Sequence, residues 1–387
     1  MNMQIDLEKG IANVGDVSRM KEVMARARRG ERLVIGFIGG SITQGSLSTT
    51  PQTCYAYRVY TWWKETFPQA EFAYCNAGIG GTTSEFGVAR VGTDLLAERP
   101  DFVIVEFSVN DESTEHFKET YEGLVRKILG AAWNPAVLLV HNVFYHNGAN
   151  AQVMHAAIGR HYDLPSVSMQ SSIYPEVVAG RIENRAITPD DLHPNDEGHA
   201  LVASVITYFL EQVRSGKLTG SNTSFVPGAK LPAPLTKNAY EDSVRIRNAA
   251  APDGAGLQQP TLDGFTPDET AQNEITDCFR YGWTAKKTGD AITFLVEGSC
   301  IAVQYRKSVK LPAPVALAVV DDDTEHAVRL DANFDETWGD KLELATLLEH
   351  GKEGRHIVTI RLAETHEDDA VPFYLVSVIA TGRRGRD

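Results

Sequence analysis

The first half of the chain alternates short, continuously apolar runs with segments of helical spacing. Leu33-Val34-Ile35-Gly36-Phe37-Ile38 contains no polar side chain, as expected of a strand buried on both faces. Phe72–Cys75, Phe102–Phe107 and Ala136–Val140 are further short strand candidates. Between and after them, Gln52–Phe67, Glu112–Leu129 and Glu197–Val213 place apolar residues at three- and four-residue intervals, which predicts amphipathic helices. Strands alternating with helices imply a parallel sheet covered on both faces, with functional groups gathered at the carboxyl ends of the strands.

The pattern changes near residue 215. Ser215-Gly216-Lys217-Leu218-Thr219-Gly220-Ser221, Pro227-Gly228, Pro232 and Pro234 form a turn-rich, helix-poor connection. Beyond it strand signals dominate: Ala291–Val296, Ile301–Tyr305, Val315–Val320, His356–Leu362 and Phe373–Ile379, most of them separated by Gly, Asp and Pro clusters. Short strands at this spacing predict a β-sandwich. The expected organisation is an α/β domain over 1–216, a linker over 217–241 and an all-β domain over 242–387.

Composition narrows the function. The 387 residues carry 37 Lys and Arg against 51 Asp and Glu, a formal net charge of −14. An acidic surface repels phosphate backbones, so no nucleic-acid partner is expected and a neutral substrate suits the chain better. No run of eighteen apolar residues exists, so no membrane-spanning helix is expected. The start, MNMQIDLEKG, lacks a basic stretch followed by an apolar core and does not read as a secretory signal. Cys54, Cys75, Cys278 and Cys300 form no C-x-x-C pair, which argues against structural zinc. Four thiols in a chain of this length fit a reducing compartment, and the expected location is cytoplasmic.

Candidate chemistry sits in four motifs. Gly39-Gly40-Ser41-Ile42-Thr43-Gln44-Gly45 follows the first strand and presents a serine where the chain leaves the sheet. It lacks the Lys-Ser/Thr pair of a phosphate loop and is not G-x-S-x-G. Asn76-Ala77-Gly78-Ile79-Gly80-Gly81-Thr82-Thr83 follows the second strand, and Ser108-Val109-Asn110-Asp111 the third. Read alone, the former is a flexible loop and the latter a helix N-cap. The fourth is Asp190-Asp191-Leu192-His193-Pro194-Asn195, where a three-residue separation can bring the Asp190 carboxylate to the His193 ring and hold the tautomer that takes a serine proton.

In this order, the four motifs resemble the sequence blocks of the SGNH (GDSL-type) hydrolases over roughly residues 30–215. The resemblance implies a three-layer α/β/α fold and a serine esterase. Ser41 takes the nucleophile position, with Gly40 where the family usually has Asp. Gly81 matches the glycine and Asn110 the asparagine of an oxyanion hole completed by the Ser41 N–H. Asp190 and His193 match the last block, whose spacing favours Asp190 over Asp191. Ser108 stands where the family usually has glycine. No metal or cofactor is implied.

The arrangement with a C-terminal β-domain is similar to bacterial carbohydrate acetylesterases whose SGNH domain precedes a sandwich (jelly-roll-like) resembling a carbohydrate-binding module. This resemblance implies removal of O-acetyl groups from hemicellulose oligosaccharides, manno-oligosaccharides first among them. The β-domain would help hold the sugar, with Trp283 and Trp338 as candidate stacking platforms. A role of that domain in forming a homodimer is equally open. Two other readings are kept: a lipid or thioester hydrolase on the same core, although no apolar lid is visible, and a carbohydrate-binding protein with a degenerate hydrolase domain, against which the intact Ser41, Asn110, Asp190 and His193 argue. His141, His146 and His199 are read as structural, and Trp62 and Trp63 as one surface and one core residue.

Overall fold

Continuous apolar runs become the central strands of a six-stranded sheet because both their faces are covered. A computed structural model describes residues 5–220, 230–252 and 258–381. It divides into two units, Met1–Asn238 and Ala239–Asp387.

The first unit contains β1 (Ile11–Asn13), β2 (Arg32–Gly39), β3 (Glu71–Gly78), β4 (Phe102–Glu106), β5 (Ala136–His141) and β6 (Ser166–Ser168) in the order β1-β6-β5-β4-β2-β3. β2 to β6 run parallel, and β1 pairs antiparallel to β6 at the edge. Its helices are α1 (Ser18–Arg28), α2 (Ser41–Gln44), α3 (Tyr55–Thr66), α4 (Ser84–Asp94), α5 (Glu115–Leu129), α6 (Gln152–His161), α7 (Met169–Ser172), α8 (Tyr174–Val178), α9 (Asn184–Ile187) and α10 (Asp196–Arg214).

The period-two alternation of each strand sorts its side chains. Phe102, Ile104, Leu138 and Val140 pack with α1, α3 and α10 on one face. On the other face α4, α5 and α6 lie side by side; Gly87 of α4 abuts Phe107 and Gly159 of α6 abuts Leu139. β2 has β3 on one side and β4 on the other, so the strand order reverses direction around it. The crevice above that reversal is where open α/β sheets bind ligands.

The expected linker is tied down over part of its length. Buried Glu122 of α5 accepts the N–H groups of Leu235 at 2.6 Å and Thr236 at 2.7 Å, and Arg126 donates to the Pro232 carbonyl at 2.9 Å. Ser221 and Pro227-Gly228 lie outside the described residues. Among the described residues no helix is long and apolar enough to cross a membrane. Cys54, Cys278 and Cys300 are buried and Cys75 is partly buried.

The second unit is all-β. β7 (Val244–Ile246), β9 (Thr266–Pro267), β10 (Trp283–Ala285), β12 (Cys300–Lys307), β15 (Lys341–Leu348) and β17 (Phe373–Thr381) form one antiparallel sheet. β8 (Thr261–Asp263), β11 (Ala291–Gly298), β13 (Val315–Val320), β14 (Val328–Asp331) and β16 (Gly354–Glu364) form the other. One hydrophobic core lies between them, built from Trp283, Val303 and Phe373 of the first sheet and Ile292, Phe294 and Ile360 of the second. Trp283 is 1% exposed and meets Phe294 edge-on, ring centroids 5.2 Å apart. The expectation that Trp283 offers a stacking face is therefore corrected: β10 turns the ring into the core, and both ring faces are covered.

Two expectations follow from this packing. Trp283→Ala should destabilise the second unit by about 3–5 kcal/mol, the usual range for truncating a buried aromatic, as read by urea unfolding. The second concerns Glu106, the fully buried last residue of β4. Burial pushes its carboxyl up to about 7, against two hydrogen bonds from Ser108. A carboxyl raised in the folded state contributes stability below its unfolded value of 4.5, lost as the pH rises through 7. Relative to Glu106→Gln, the unmodified protein should lose about 3 kcal/mol of stability across this interval. Parallel unfolding curves for the two proteins over that range would sink the assignment.

Candidate active site

Three loops at the carboxyl ends of β2, β3 and β4 meet over the reversal of strand order, and glycine makes the meeting sterically feasible. Gly39 pairs with Gly78 across β2 and β3. A Cβ on Gly39 would lie 2.2 Å from Thr43 Oγ1 and 2.4 Å from the Glu106 carbonyl; one on Gly78 would lie 2.2 Å from the Gln44 nitrogen. The single turn of α2 can therefore rest directly on the sheet. Ser41 is its first residue and is 7% exposed. Gly45, in the left-handed region with φ 101°, ends the turn.

A hydrogen-bonded line runs from this serine to the loop before α10. His193 Nε2 lies 2.8 Å from Ser41 Oγ, and His193 Nδ1 lies 2.6 Å from Asp190 Oδ2. The other Asp190 oxygen accepts the His193 N–H at 2.7 Å, the Leu192 N–H at 3.1 Å and the Thr188 hydroxyl at 3.2 Å. Partial burial raises the Asp190 carboxyl, but hydrogen bonds from the His193 ring and from the two backbone N–H groups outweigh it and leave the pKa below the ordinary value. An ionised Asp190 fixes the ring with Nδ1–H facing the carboxylate, so Nε2 is free to take the Ser41 proton.

Asp191 points elsewhere. It sits in the left-handed region with φ 69°; its carboxylate takes hydrogen bonds from Asn184 and Arg185, and its carbonyl accepts the Tyr145 N–H at 2.8 Å. That kink aims Asp190 and His193 toward Ser41. The loop is anchored further on: Asn195 caps α10, and Asp196 accepts from Thr49 and Thr53, which lowers its pKa to about 2. Buried His199 braces the neighbouring loop, its Nδ1 facing the Tyr55 N–H at 3.3 Å and its Nε2 the Ser46 carbonyl at 3.2 Å. Burial pushes His199 down to about 4, which keeps it neutral.

Gly81 and Asn110 stand beside the serine. The Gly80-Gly81 turn is held by Gln44, whose side-chain oxygen accepts the Gly80 N–H at 2.6 Å, and a Cβ on Gly80 would lie 3.7 Å from Ser41 Cβ. Gly81 has φ 67°. Asn110 packs against Gly40, where a Cβ would stand 2.1 Å from Asn110 Oδ1. This contact is a physical reason for Gly40 in place of an aspartate: any side chain there would displace the Asn110 amide. Among the described residues, the Ser41 and Gly81 N–H groups and Asn110 Nδ2 donate to no protein acceptor. Three donors with unused capacity thus stand near one serine, groups of the kind that can stabilise a developing oxyanion.

Three structural details of the site were not legible in the motifs. Asn76 Nδ2 bonds the Thr43 carbonyl at 2.8 Å and ties β3 to α2. Fully buried Arg90 reaches the Gly39 carbonyl at 3.2 Å. Asp111 does not cap the helix that follows it, because α5 begins at Glu115 with Thr114 as its cap; Asp111 Oδ1 instead accepts the Ser84 N–H at the start of α4, 2.8 Å away. Of the other residues weighed, His141 and Trp63 are buried, Trp62 is partly buried and His146 is exposed. Trp338 is 61% exposed on the second unit, edge-on to Phe334 at 5.1 Å. Among the described residues no cluster of three or more His, Cys, Asp or Glu is placed to hold a metal ion.

Comparison with known proteins follows the same lines. Residues 37–201 match the model of the GDSL-like lipase/acylhydrolase family. A solved structure of a two-domain esterase (CEX) active on acetylated mannans, co-crystallised with mannopentaose, is 65% identical over 99% of this chain and 100% of that chain, with a TM-score of 0.92. A second structure of a two-domain esterase (CEX) active on acetylated mannans is 66% identical with the same coverage and TM-score. No curated protein gives a significant match. With the serine, glycine and asparagine loops at the strand ends, the histidine in the loop before α10, and 65% identity to a two-domain esterase over nearly the whole chain, the chain belongs to the GDSL-like lipase/acylhydrolase family and is a carboxylic ester hydrolase.

Proposed function

We propose that the chain is a serine acetylesterase that removes O-acetyl groups from mannan-derived oligosaccharides. The observation that carries the reading is the unbroken line Ser41 Oγ–His193 Nε2, His193 Nδ1–Asp190 Oδ2, at 2.8 and 2.6 Å. The choice of substrate is supported by the two-domain esterases active on acetylated mannans, 65% and 66% identical over nearly the whole chain.

The chemistry follows from the geometry. His193 Nε2 takes the Ser41 proton as Oγ attacks the ester carbonyl. The carbonyl oxygen becomes an oxyanion, held by the Ser41 and Gly81 N–H groups and the Asn110 amide, each worth roughly 3 kcal/mol in the transition state. The tetrahedral intermediate collapses as His193 returns the proton to the sugar hydroxyl, which leaves. Water, deprotonated by His193, then attacks the acetyl-serine and releases acetate. Asp190 stays ionised throughout and stabilises the imidazolium that forms twice per turnover.

In this reading the second unit binds sugar in the manner of a carbohydrate-binding module, with Trp338 as a stacking surface. Its exposure supports that role, as does its edge contact with Phe334, itself flanked by the Lys307 and Lys341 ammonium groups at 5.6 and 5.9 Å. Four cysteines in a chain of 387 residues support a cytoplasmic site of action.

Mass spectrometry of acetylated manno- and xylo-oligosaccharides tests the reading. Loss of acetyl masses from the mannan fragments with unmodified enzyme, and none with Ser41→Ala, is the expected result. Retained turnover in Ser41→Ala would remove the nucleophile, and equal loss from both sugars would remove the preference for mannan. Trp338→Ala should raise KM for acetylated manno-oligosaccharides roughly 3- to 10-fold while leaving 4-nitrophenyl acetate unaffected. Unchanged KM for both would dismiss Trp338 as a sugar contact.

A further inference from the structure

Behind the oxyanion donors lies a buried polar pair that the mechanism above does not use. Asp111 Oδ2 and His155 Nε2 are 2.9 Å apart, and both side chains are completely inaccessible to solvent. The ring of Tyr121 lies flat on the His155 ring, centroids 3.6 Å apart and planes 5° from parallel. This stack sets the plane of the imidazole, and the plane sets the direction of its hydrogen bond. The groups come from three elements: the loop after β4, α5 and α6.

Asp111 is joined to both oxyanion arms. It follows Asn110 directly, and the N–H groups of both residues donate to the Phe107 carbonyl, at 3.0 Å for Asn110 and 2.9 Å for Asp111. Among the described residues the Asn110 amide has no hydrogen bond of its own to fix it: Oδ1 is buried against Gly40 without a partner. Its aim is therefore set by where the 107–111 turn is held. The second Asp111 oxygen holds the Ser84 N–H at 2.8 Å, and Ser84 stands three residues after Gly81. A single carboxylate thus fixes the turn carrying one donor and the helix start that closes the loop carrying another.

We propose that Asp111 and His155 are positioning residues of the oxyanion hole, setting the Asn110 amide and the Gly81 loop relative to each other before substrate arrives. The inference rests on the oxyanion roles of Gly81 and Asn110 given above. It differs from a purely structural role for the pair, because it places the functional loss in the chemical step and makes that loss depend on Asn110. Displacing a catalytic group by about 1 Å costs on the order of 100-fold in rate, and removing one oxyanion donor costs about 100- to 1,000-fold.

A double-mutant cycle on kcat with 4-nitrophenyl acetate separates the two. His155→Phe keeps an aromatic ring against Tyr121 and removes the hydrogen bond; His155→Gln keeps a side-chain donor. His155→Phe should lower kcat roughly 10- to 100-fold with KM within about twofold, and His155→Gln should recover most of the loss. In the Asn110→Ala background, His155→Phe should cost no more than about twofold further, because the group it positions is gone. An equal loss in both backgrounds, or a change confined to KM, overturns the inference. If His155→Phe does not fold, the same cycle run with Asp111→Asn decides: unchanged kcat or full additivity with Asn110→Ala overturns it. An Asn110→Ala enzyme with undiminished kcat would overturn the oxyanion reading beneath it, a result separate from the cycle's own.

Discussion

The site depends on main chain lying against main chain. Where β2 and β3 end, Gly78 lies against the α2 backbone at Gln44, and Gly39 against the Glu106 carbonyl and the Thr43 hydroxyl, approaches that a single added carbon would close to 2.2–2.4 Å. Because no side chain intervenes, a helix of only four residues is seated by the sheet and does not rely on its own hydrogen bonds, which at that length are too few to hold it. Seating α2 fixes Ser41, and Gln44 from the same turn fixes the Gly80 N–H. Gly40 then leaves the Asn110 amide room beside the serine. Ser41 and the Gly80-Gly81 turn share one platform, and His193 and Asp190 arrive from the loop before α10.

Three acidic side chains around this platform show how environment assigns a role. Glu106 is fully buried with its hydrogen bonds on one oxygen, so burial dominates and its pKa rises to about 7. Asp190 is partly open and receives donors on both oxygens, so the charged form wins. Asp111 is as buried as Glu106, yet each of its oxygens has a partner, the Ser84 N–H and the His155 ring. The same functional group thus serves as a buried acid of raised pKa at the end of an interior strand, a charged orienter of imidazole and a clamp between loops.

The elements legible in the sequence were those whose burial is uniform. β2, β4 and β5 lie between two helical layers and read as unbroken apolar runs; α3, α5 and α10 keep one apolar stripe. α4 escaped because it buries Glu85 and Arg90 along with its apolar residues, which blurs the periodicity. β15 escaped because it is an edge strand, half-exposed along most of its length, and its KLELATLL pattern has no strong contrast. The candidate site was legible where its residues follow an order along the chain: Ser41, Gly81, Asn110 and the Asp190–His193 pair are met at successive loops. Taken alone, the Asn110-Asp111 pair reads as a local cap, because the partners of Asp111, Ser84 and His155, lie 27 and 44 residues away. Local pattern contains no record of such contacts.

The two tryptophans mark the same limit from the other side. Composition offers two large aromatic rings in an all-β domain, and nothing in the ring itself says which one faces water. Position decides. Trp283 opens β10, where Trp283 and Ala285 turn inward and Thr284 turns out, so the pleat carries the indole into the core. Trp338 sits between β14 and β15, followed by Gly339 at φ 124°, in a loop with no pleat to direct it inward. An indole that is 61% exposed adds little to folding, since most of its apolar surface stays in water. Its packing against Phe334 nevertheless restrains the ring, which lowers the entropy lost when a ligand covers it. Exposure together with restraint is what the proposed stacking role asks of an indole, and of these two tryptophans Trp338 has both.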